Sequence, residues 1–534
     1  MKEDVMEIAL KRGFLIPSNE IYGHISGFYD YGTVGAPMKR KIEEAWRSFF
    51  LRKDGAFEVE TATLLPEIVL KASGHVGHFG DPLVECTECK KKFRADTLVA
   101  DHLEGEMKTL AARSAAGPLA QEREMEAEGE HAKRLKEHLS RLPGMKPEEM
   151  SAKIKELGIK CPECQGRLAE VGWFNLMFKT NIGPIEGNPG YTRPETAQGI
   201  FLDFPRIFRA HGTRLPLAVA QIGKSFRNEI SPRQGLIRLR EFTQMEIEYF
   251  FNPTNDKHPK FAEVANQKIK ILTRESQEAG KDEETEMTAQ EAVERKIIPN
   301  QILAYYLARE TQFYVMMGVP YSDFRFRHMM ADETPHYSGG NFDLEVKTSS
   351  GWIETIGTAY RTDFDLRSHS EMSKKDLSVF IEEEKRKTIP HVVEPSFGVD
   401  RLFWVILEKC YREKGGAEGR DWSWFDFPPL IAPFDCAVLP LMKKDGLKEK
   451  AEEVAAMLRN EGFNCYYDES GSVGRRYARQ DEVGTPYCIT IDYDTLKDAT
   501  ATIRFRNDGK QTRVGISELP SALRNLAKEG KVTA

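Results

Sequence analysis

Residues 221–250, QIGKSFRNEISPRQGLIRLREFTQMEIEYF, set arginines, a phenylalanine and glutamates at strand spacing on either side of a short loop. From Ile237 to Phe250 a period of two puts Arg238, Phe242, Gln244 and Glu246 on one face, with Ile237, Leu239, Met245 and Ile247 on the other. The polar face is therefore the working face. Arg227 ends the preceding strand, and Asn228 to Leu236, with Ser231-Pro232-Arg233 and Gly235, supplies turn chemistry, so the segment predicts an antiparallel hairpin. Guanidinium forks grip phosphate oxygens bidentately, and an aromatic face stacks on a purine. The plainer alternative is an edge hairpin whose charges only pair across strands.

Working outward, 534 residues imply about three or four domains with several cores. Hydrophobic residues make up 40% and charged residues 30%, with no apolar run near the ~20 residues that span a bilayer. The opening MKEDVMEIALKRGF reads as a charged amphipathic helix, because Glu3, Asp4 and Glu7 interrupt any signal-peptide core; a cytoplasmic location is the expectation. A net charge of −7 argues against indiscriminate coating of nucleic acid. Of eight cysteines, four form two Cys-x-x-Cys pairs and four (Cys410, Cys436, Cys465, Cys488) are scattered in apolar segments, which suits a reducing compartment.

The segment 1–85 contains PMKRKIEEAWRSFFL (37–51), an amphipathic helix, then the β-rich FEVETATLLP. Residues 86–171 read as an insertion. Cys86 and Cys89, and Cys161 and Cys164, are spaced for tetrahedral Zn²⁺ held by four thiolates, against the alternative of unmetallated thiols; a charged helical arm over about 98–157, broken at Gly117-Pro118 and Pro143-Gly144, lies between them. Residues 172–251 return to β-rich segments, where Tyr191-Thr192-Arg193-Pro194-Glu195-Thr196 places a carboxylate just ahead of a helix. Residues 252–340 are expected to form a second helical insertion, with the charged run ESQEAGKDEETEMTAQEAVERK (275–296) exposed, 341–430 to resume strands and end in the apolar helix of HVVEPSFGVDRLFWVILEKC, and 431–534 to alternate strands and helices as a separate α/β domain. There GSVGRRYARQ offers Gly471, Gly474, Arg475 and Arg476 at a helix start as a weak phosphate cradle.

Phe226-Arg227-Asn228-Glu229 followed by Arg238-x-x-x-Phe242 resembles motif 2 of the class II aminoacyl-tRNA synthetases, Gly398-Val399-Asp400-Arg401 resembles the end of their motif 3, and the helix and strand after Pro37 follow the order of motif 1. Glu394-Pro395-Ser396, standing where generic motif 3 has two more glycines, is similar to the form in the glycyl enzymes of homodimeric archaeal and eukaryotic type, as are RPETAQGIF, SFRNEISPR, GLIR and REFTQMEIE. The resemblance is to members expected to lack the extra N-terminal helical module of many eukaryotic ones.

The resemblance implies an α+β fold: an antiparallel-sheet catalytic domain with helical and zinc-knuckle insertions, and a C-terminal anticodon-binding domain in which Phe434 and basic residues meet the anticodon. It implies ATP-dependent attachment of glycine to tRNA(Gly) through glycyl-adenylate, with release of pyrophosphate and AMP. Arg227 is then the ligand of the α-phosphate and Arg238 and Arg401 of the γ-phosphate, while Phe242 stacks on adenine beside Asn228 and Glu229. Backbone at Leu239 and Glu354-Thr355 completes the ATP site, with Glu354 the Mg²⁺ carboxylate, and Glu195, Glu246, Glu394, Pro395 and Ser396 surround glycine. The motif 1 segment is expected to build a homodimer interface. Size selection against alanine must come from clash, since burying a methyl is worth ~0.8 kcal/mol but forcing one into a packed site costs about 1–3 kcal/mol. A synthetase-like accessory protein is the competing reading; such proteins lose motif 2 or 3 arginines, and here all three are present. The prolyl and seryl enzymes are a further alternative, opposed by Glu394-Pro395-Ser396 and the three glutamates.

Overall fold

The computed structural model describes residues 2–115, 131, 133–135, 138–139, 142–184, 187–230, 232, 235–331, 333–334, 338–415 and 420–529. Ser231 and Arg233 of the motif 2 loop, and Gly117-Pro118 in the arm, lie outside them. The central element is a nine-stranded sheet built from β1 (Phe57–Glu58), β2 (Leu217–Phe226), β3 (Glu241–Phe251), β4 (Lys268–Leu272), β5 (Thr285–Thr288), β6 (Phe324–His328), β7 (Gly340–Thr348), β8 (Gly351–Thr362) and β9 (His391–Gly398). Its order is β5-β4-β6-β7-β8-β9-β3-β2-β1, antiparallel except where β1 joins β2 and β4 joins β6.

Alternation along each strand divides the residues between two faces. Met245, Ile247 and Tyr249 of β3, Phe397 of β9 and Ile356 of β8 point to one side and pack in the largest core with α1 (Gly35–Trp46), α3 (Gln301–Met316) and α4 (Val399–Cys410). On the other side Phe250, Val219 and Val392 are covered by α2 (Ala197–Ala210) through Ile200, Phe201 and Phe204, which leaves the rest of that face open for polar residues.

Two expectations need correcting. The hairpin strand begins at Glu241, not Ile237: Gly235 takes φ +61°, Gly235–Ile237 forms a 3₁₀ turn, and Arg238 therefore stands on a loop rather than a strand face. Residues 252–340 are not a helical insertion, although most of the charged run 275–296 is exposed as expected. They contribute β4, β5 and β6 to the sheet and α3, whose QILAYYLARETQFYVM is apolar nearly all round and consequently buried on all sides. The charged run at 275–295 masks this because it supplies only the outer edge, with Met287 alone buried in β5.

Cys86–Cys164 does hang on a small sheet of its own, in which Gly80–Glu85 pairs with both Lys92–Arg94 and Gly172–Asn175. Helices Ala95–Ala115 and Pro147–Glu156 pack above it around Val99, Leu103, Met150 and Ile154. In the C-terminal part, β10 (Cys436–Pro440), β11 (Cys465–Tyr467), β12 (Tyr487–Ile491), β13 (Thr500–Phe505) and β14 (Gln511–Gly515) order as β11-β10-β12-β13-β14, the first three parallel. Helix Val473–Glu482 starts with Ser472 accepting from Arg475 N, and Arg476 is buried, donating to Leu441 O at 3.3 Å and to Pro440 O. Of the two arginines expected at a phosphate cradle, only Arg475 faces solvent. Phe434 is half-buried against Tyr466, ring centroids 4.9 Å apart.

The loop after β1 is wedged between α2 and β2. Thr61 N donates to Gln221 Oε1 at 2.9 Å, Arg193 donates to Thr61 O at 3.0 Å, and a Cβ at Gly199 would lie 2.1 Å from Thr61 Oγ1. Gly199→Ala is expected to cost about 1–3 kcal/mol of stability through this overpacking, read as a lowered urea midpoint.

Candidate active site

The open face of the sheet brings together residues that are far apart in sequence. Register pairs Gln244 with Gly398, Glu246 with Ser396, Gly357 with Ser396 and Ala359 with Glu394, so β3, β9 and β8 present their polar positions side by side. Two cavities open over them. One is lined by Arg227, Glu229, Arg238, Phe242, Glu354 and Arg401, together with Leu239 and Thr355; the other by Glu195, Glu246, Arg361 and Glu394. Arg227, Gln244, Gly357 and Ser396 line both. A side chain on Gly357 would project into this junction, where the nearest neighbours of a Cβ are Asp343 Oδ1 at 3.7 Å and Glu354 Oε1 at 4.0 Å.

In the first cavity Arg227 is held by a bond from Nε to Pro194 O at 3.2 Å, with its guanidinium 5.2 Å from the ring centroids of both Phe79 and Phe242. Arg401 donates through Nε to Ile237 O and through Nη1 to Glu354 O, each at 2.9 Å, and its Nη1 is 3.3 Å from Glu354 Oε1. Arg401 is the main cause that keeps the Glu354 carboxyl below its ordinary range. Arg238 Nε lies 3.6 Å from Glu229 Oε2. Burial, then the charge of Arg94 in the insertion, lowers the Arg238 pKa, with Glu229 and Asp81 opposing. Asn228 lines neither cavity; its N–H is spent on Leu176 O at 2.6 Å.

The start of α4 sets where Arg401 stands. Asp400, buried, accepts from Tyr31 Oη at 2.5 Å and from Thr243 N at 2.6 Å, tying α4 to β3 and to the N-terminal segment. Arg240 similarly fixes the motif 2 loop, donating to Glu229 O at 2.9 Å and Ser26 O at 2.7 Å.

The second cavity is acidic but not bare. Arg361 Nη1 donates to Glu394 Oε2 at 2.6 Å, its Nε and Nη2 to Asp365 at 2.7 and 2.9 Å, and it stands 3.6 Å from Glu195. Burial opposes ionisation of Glu195, yet Arg361 and then His75, at 3.5 Å, hold it well below the usual carboxylate range. Glu246 accepts at Oε1 from Ser396 Oγ at 2.6 Å and Gln244 Nε2 at 2.7 Å, and at Oε2 from Thr196 N at 2.8 Å and Thr196 Oγ1. Burial raises Glu246 and pushes Glu394 up to about 8, Arg361 opposing the latter. Pro395 lies between Glu394 and Ser396 on the other face of β9 and lines neither cavity.

Sequence reasoning missed Arg361, Glu248, Tyr31, Phe79 and Asp343. Arg361 and Glu248 carry a period-two signal that could have found them, following Gly357-x-Ala359 and Gln244-x-Glu246; Tyr31 and Phe79 arrive through tertiary packing and carry none.

Cys86 Sγ is 3.5 Å from Cys164 Sγ and Cys89 Sγ 3.6 Å from Cys161 Sγ, and all four sulfurs lie within 4.8 Å of one another. A tetrahedron with metal–sulfur bonds of about 2.3 Å has edges close to these separations, so the residues fit zinc.

A sheet of this order, with Arg227, Arg238 and Arg401 converging over its open face beside an acidic cavity, is the architecture of a class II aminoacyl-tRNA synthetase. The tRNA synthetase class II core domain family (G, H, P, S and T) matches residues 187–410, and the anticodon binding domain family matches 435–526. A prolyl-tRNA synthetase from Cryptosporidium parvum, solved with halofuginone and AMPPNP, superposes with a TM-score of 0.54 at 13% identity, covering 99% of this chain and 77% of that one, which shows a common fold. The glycine–tRNA ligase of Methanothrix thermoacetophila is 41% identical, covering 98% of this chain and 96% of the relative. Those of Pyrococcus horikoshii and Methanocaldococcus jannaschii are 40% and 39% identical, with coverage of 98% and 99% on both sides. The chain belongs to the glycine–tRNA ligases. Among the described residues no helix is long and apolar enough to cross a membrane.

Tyr31→Phe should leave Asp400 Oδ1 buried without its donor and cost about 1–3 kcal/mol in urea unfolding, with the ATP KM rising because Arg401 loses its fixed base.

Proposed function

We propose that this ligase charges tRNA(Gly) by forming glycyl-adenylate at the junction of its two cavities. The observation that supports it is the shared lining: Arg227, Gln244, Gly357 and Ser396 border both cavities, so a carboxylate seated in one meets an α-phosphate seated in the other. The glycine carboxylate attacks the α-phosphorus in line, the new C–O–P bond forms as the bond to the β-phosphate oxygen breaks, and pyrophosphate leaves. No side-chain nucleophile is required. Catalysis is positioning and charge stabilisation. Arg227 grips the α-phosphate, Arg238 and Arg401 the γ-phosphate, Phe242 stacks on adenine, and Glu229, with backbone at Leu239 and Thr355, completes the nucleotide site. The tRNA 3′-terminal hydroxyl then attacks the adenylate carbonyl, and AMP departs.

The substrate ammonium sits among Glu195, Glu246 and Glu394, and Ser396, locked onto Glu246, stands beside Cα where a methyl would clash. Glu354, ionised and at the exposed edge of the nucleotide cavity, is the protein carboxylate suited to Mg²⁺, which neutralises phosphate charge when bound with ATP. Cys86, Cys89, Cys161 and Cys164 hold a structural zinc ion that closes the root of the insertion. The chain works in the cytoplasm and as a homodimer, the pairing supported by exposed Phe57, Leu64 and Ile68 in and after the edge strand β1.

ATP–pyrophosphate exchange without tRNA should proceed with glycine and not with alanine, serine or proline, and Arg227→Ala should lower it by about 10²–10³-fold. Exchange with alanine at a comparable rate would overturn the clash argument. Elemental analysis should find one zinc per chain, lost in Cys89→Ser or Cys164→Ser; full-length protein without zinc but with unchanged stability would remove the metal from this reading.

A further inference from the structure

Glu248 follows Glu246 on the site face of β3, and the register of β3 with β9 sets it beside Glu394. Carboxylate oxygens of Glu246, Glu248 and Glu394 lie within 4.8 Å of one another. Glu248 is 0% exposed, and neither of its oxygens has a hydrogen-bond partner. The charged groups facing it are Glu246 on its own strand, Glu394 on β9, Arg361 on β8 and Asp365 on helix Phe364–Ser373. Behind these stand Glu195 and His369, the latter bonded to Gln198 at 2.8 Å. Five carboxyl groups thus surround one guanidinium. An ionised carboxylate without donors in a dry position is far costlier than a protonated one, and carboxylates this close do not all ionise.

We propose that Glu248 is a positioning residue for amino-acid recognition: its carboxyl keeps a proton and donates it to Glu394, so that Arg361 and Glu248 brace Glu394 from two sides with its remaining lone pairs turned to the substrate ammonium. Burial, then the charge of Glu394, raises Glu248 well above the ordinary carboxyl range, in keeping with this. The inference rests on the placement of glycine among Glu195, Glu246 and Glu394. It explains why a fifth acid is buried where only one cation serves it: as a neutral acid it acts as a donor, not as a counter-ion.

The test uses the full-length enzyme. Glu248→Leu removes the donor and should raise the glycine KM in ATP–pyrophosphate exchange about 10–100-fold, with the ATP KM within about 3-fold of wild type. Glu248→Gln restores a neutral donor of the same shape and should bring the glycine KM back to within about 5-fold of wild type. Infrared difference spectra of wild type against Glu248→Gln, recorded above the pH at which Glu394 ionises, should show the carbonyl stretch of a buried protonated carboxylic acid that the variant lacks, an arm that holds even if the leucine variant does not fold. Absence of that band in the wild type, a glutamine variant as weak as the leucine variant, or a folded leucine variant with unchanged glycine KM would each overturn the proposal. Glu246→Gln separates the two levels: if it too leaves the glycine KM unchanged, the placement of glycine fails and the role of Glu248 falls with it.

Discussion

The register between β3 and β9 is the constraint from which the site follows. With Gln244 opposite Gly398 and Glu246 opposite Ser396, the even positions of both strands share the open face, while Met245, Ile247 and Phe397 fill the core beneath. A slip of one residue would send Glu246 and Glu248 into a hydrophobic cluster and turn Phe397 to solvent, so burial on one face enforces the arrangement of charges on the other. Asp400 adds a second lock, because its bond from Thr243 N fixes the first turn of α4 to the same strand. Packing thereby sets where α4 begins, and Arg401 in its first turn is then held by its own bonds to Ile237 O and Glu354 O.

Electrostatically the two cavities are opposites placed side by side. Arg227, Arg238 and Arg401 crowd one, with Arg94 contributing charge from the insertion; Glu195, Glu246 and Glu394 crowd the other around Arg361, with Glu248 buried behind them. Each cluster is costly in isolation, and each is of the sign opposite to the part of the substrates it would meet. Strain of this kind, local rules broken in the same small volume, marks a functional site in an otherwise consistent fold.

Much of this was legible in the sequence because strand alternation makes short-range pattern and three-dimensional neighbourhood coincide: Phe242, Gln244 and Glu246 could be placed on one face from spacing alone. Arg238 could not, since the 3₁₀ turn at Gly235–Ile237 breaks the period before the strand begins. The charged run at 275–295 concealed the strands on either side of it, and the full burial of α3 is a tertiary outcome that an all-round apolar pattern only hints at. Arg476 looked like a ligand for phosphate and proved to be a tie to Leu441, because composition at a helix start says nothing of which face the chain ahead will cover. Arg361, which lines the second cavity and pairs with Glu394 and Asp365, sits in a stretch whose sequence carries only an ordinary strand signal.

The root of the cysteine-bearing insertion touches motif 2 at both of its ends. Phe79, just before strand Gly80–Glu85, stacks on Arg227, and Leu176, just after strand Gly172–Asn175, accepts from Asn228 N. Those two strands are paired with each other, so among the described residues the excursion leaves and re-enters the catalytic body through one paired plate seated on the Arg227–Asn228 segment. A displacement of the arm would therefore reach Arg227 through Phe79 and its neighbour Asn228 through Leu176.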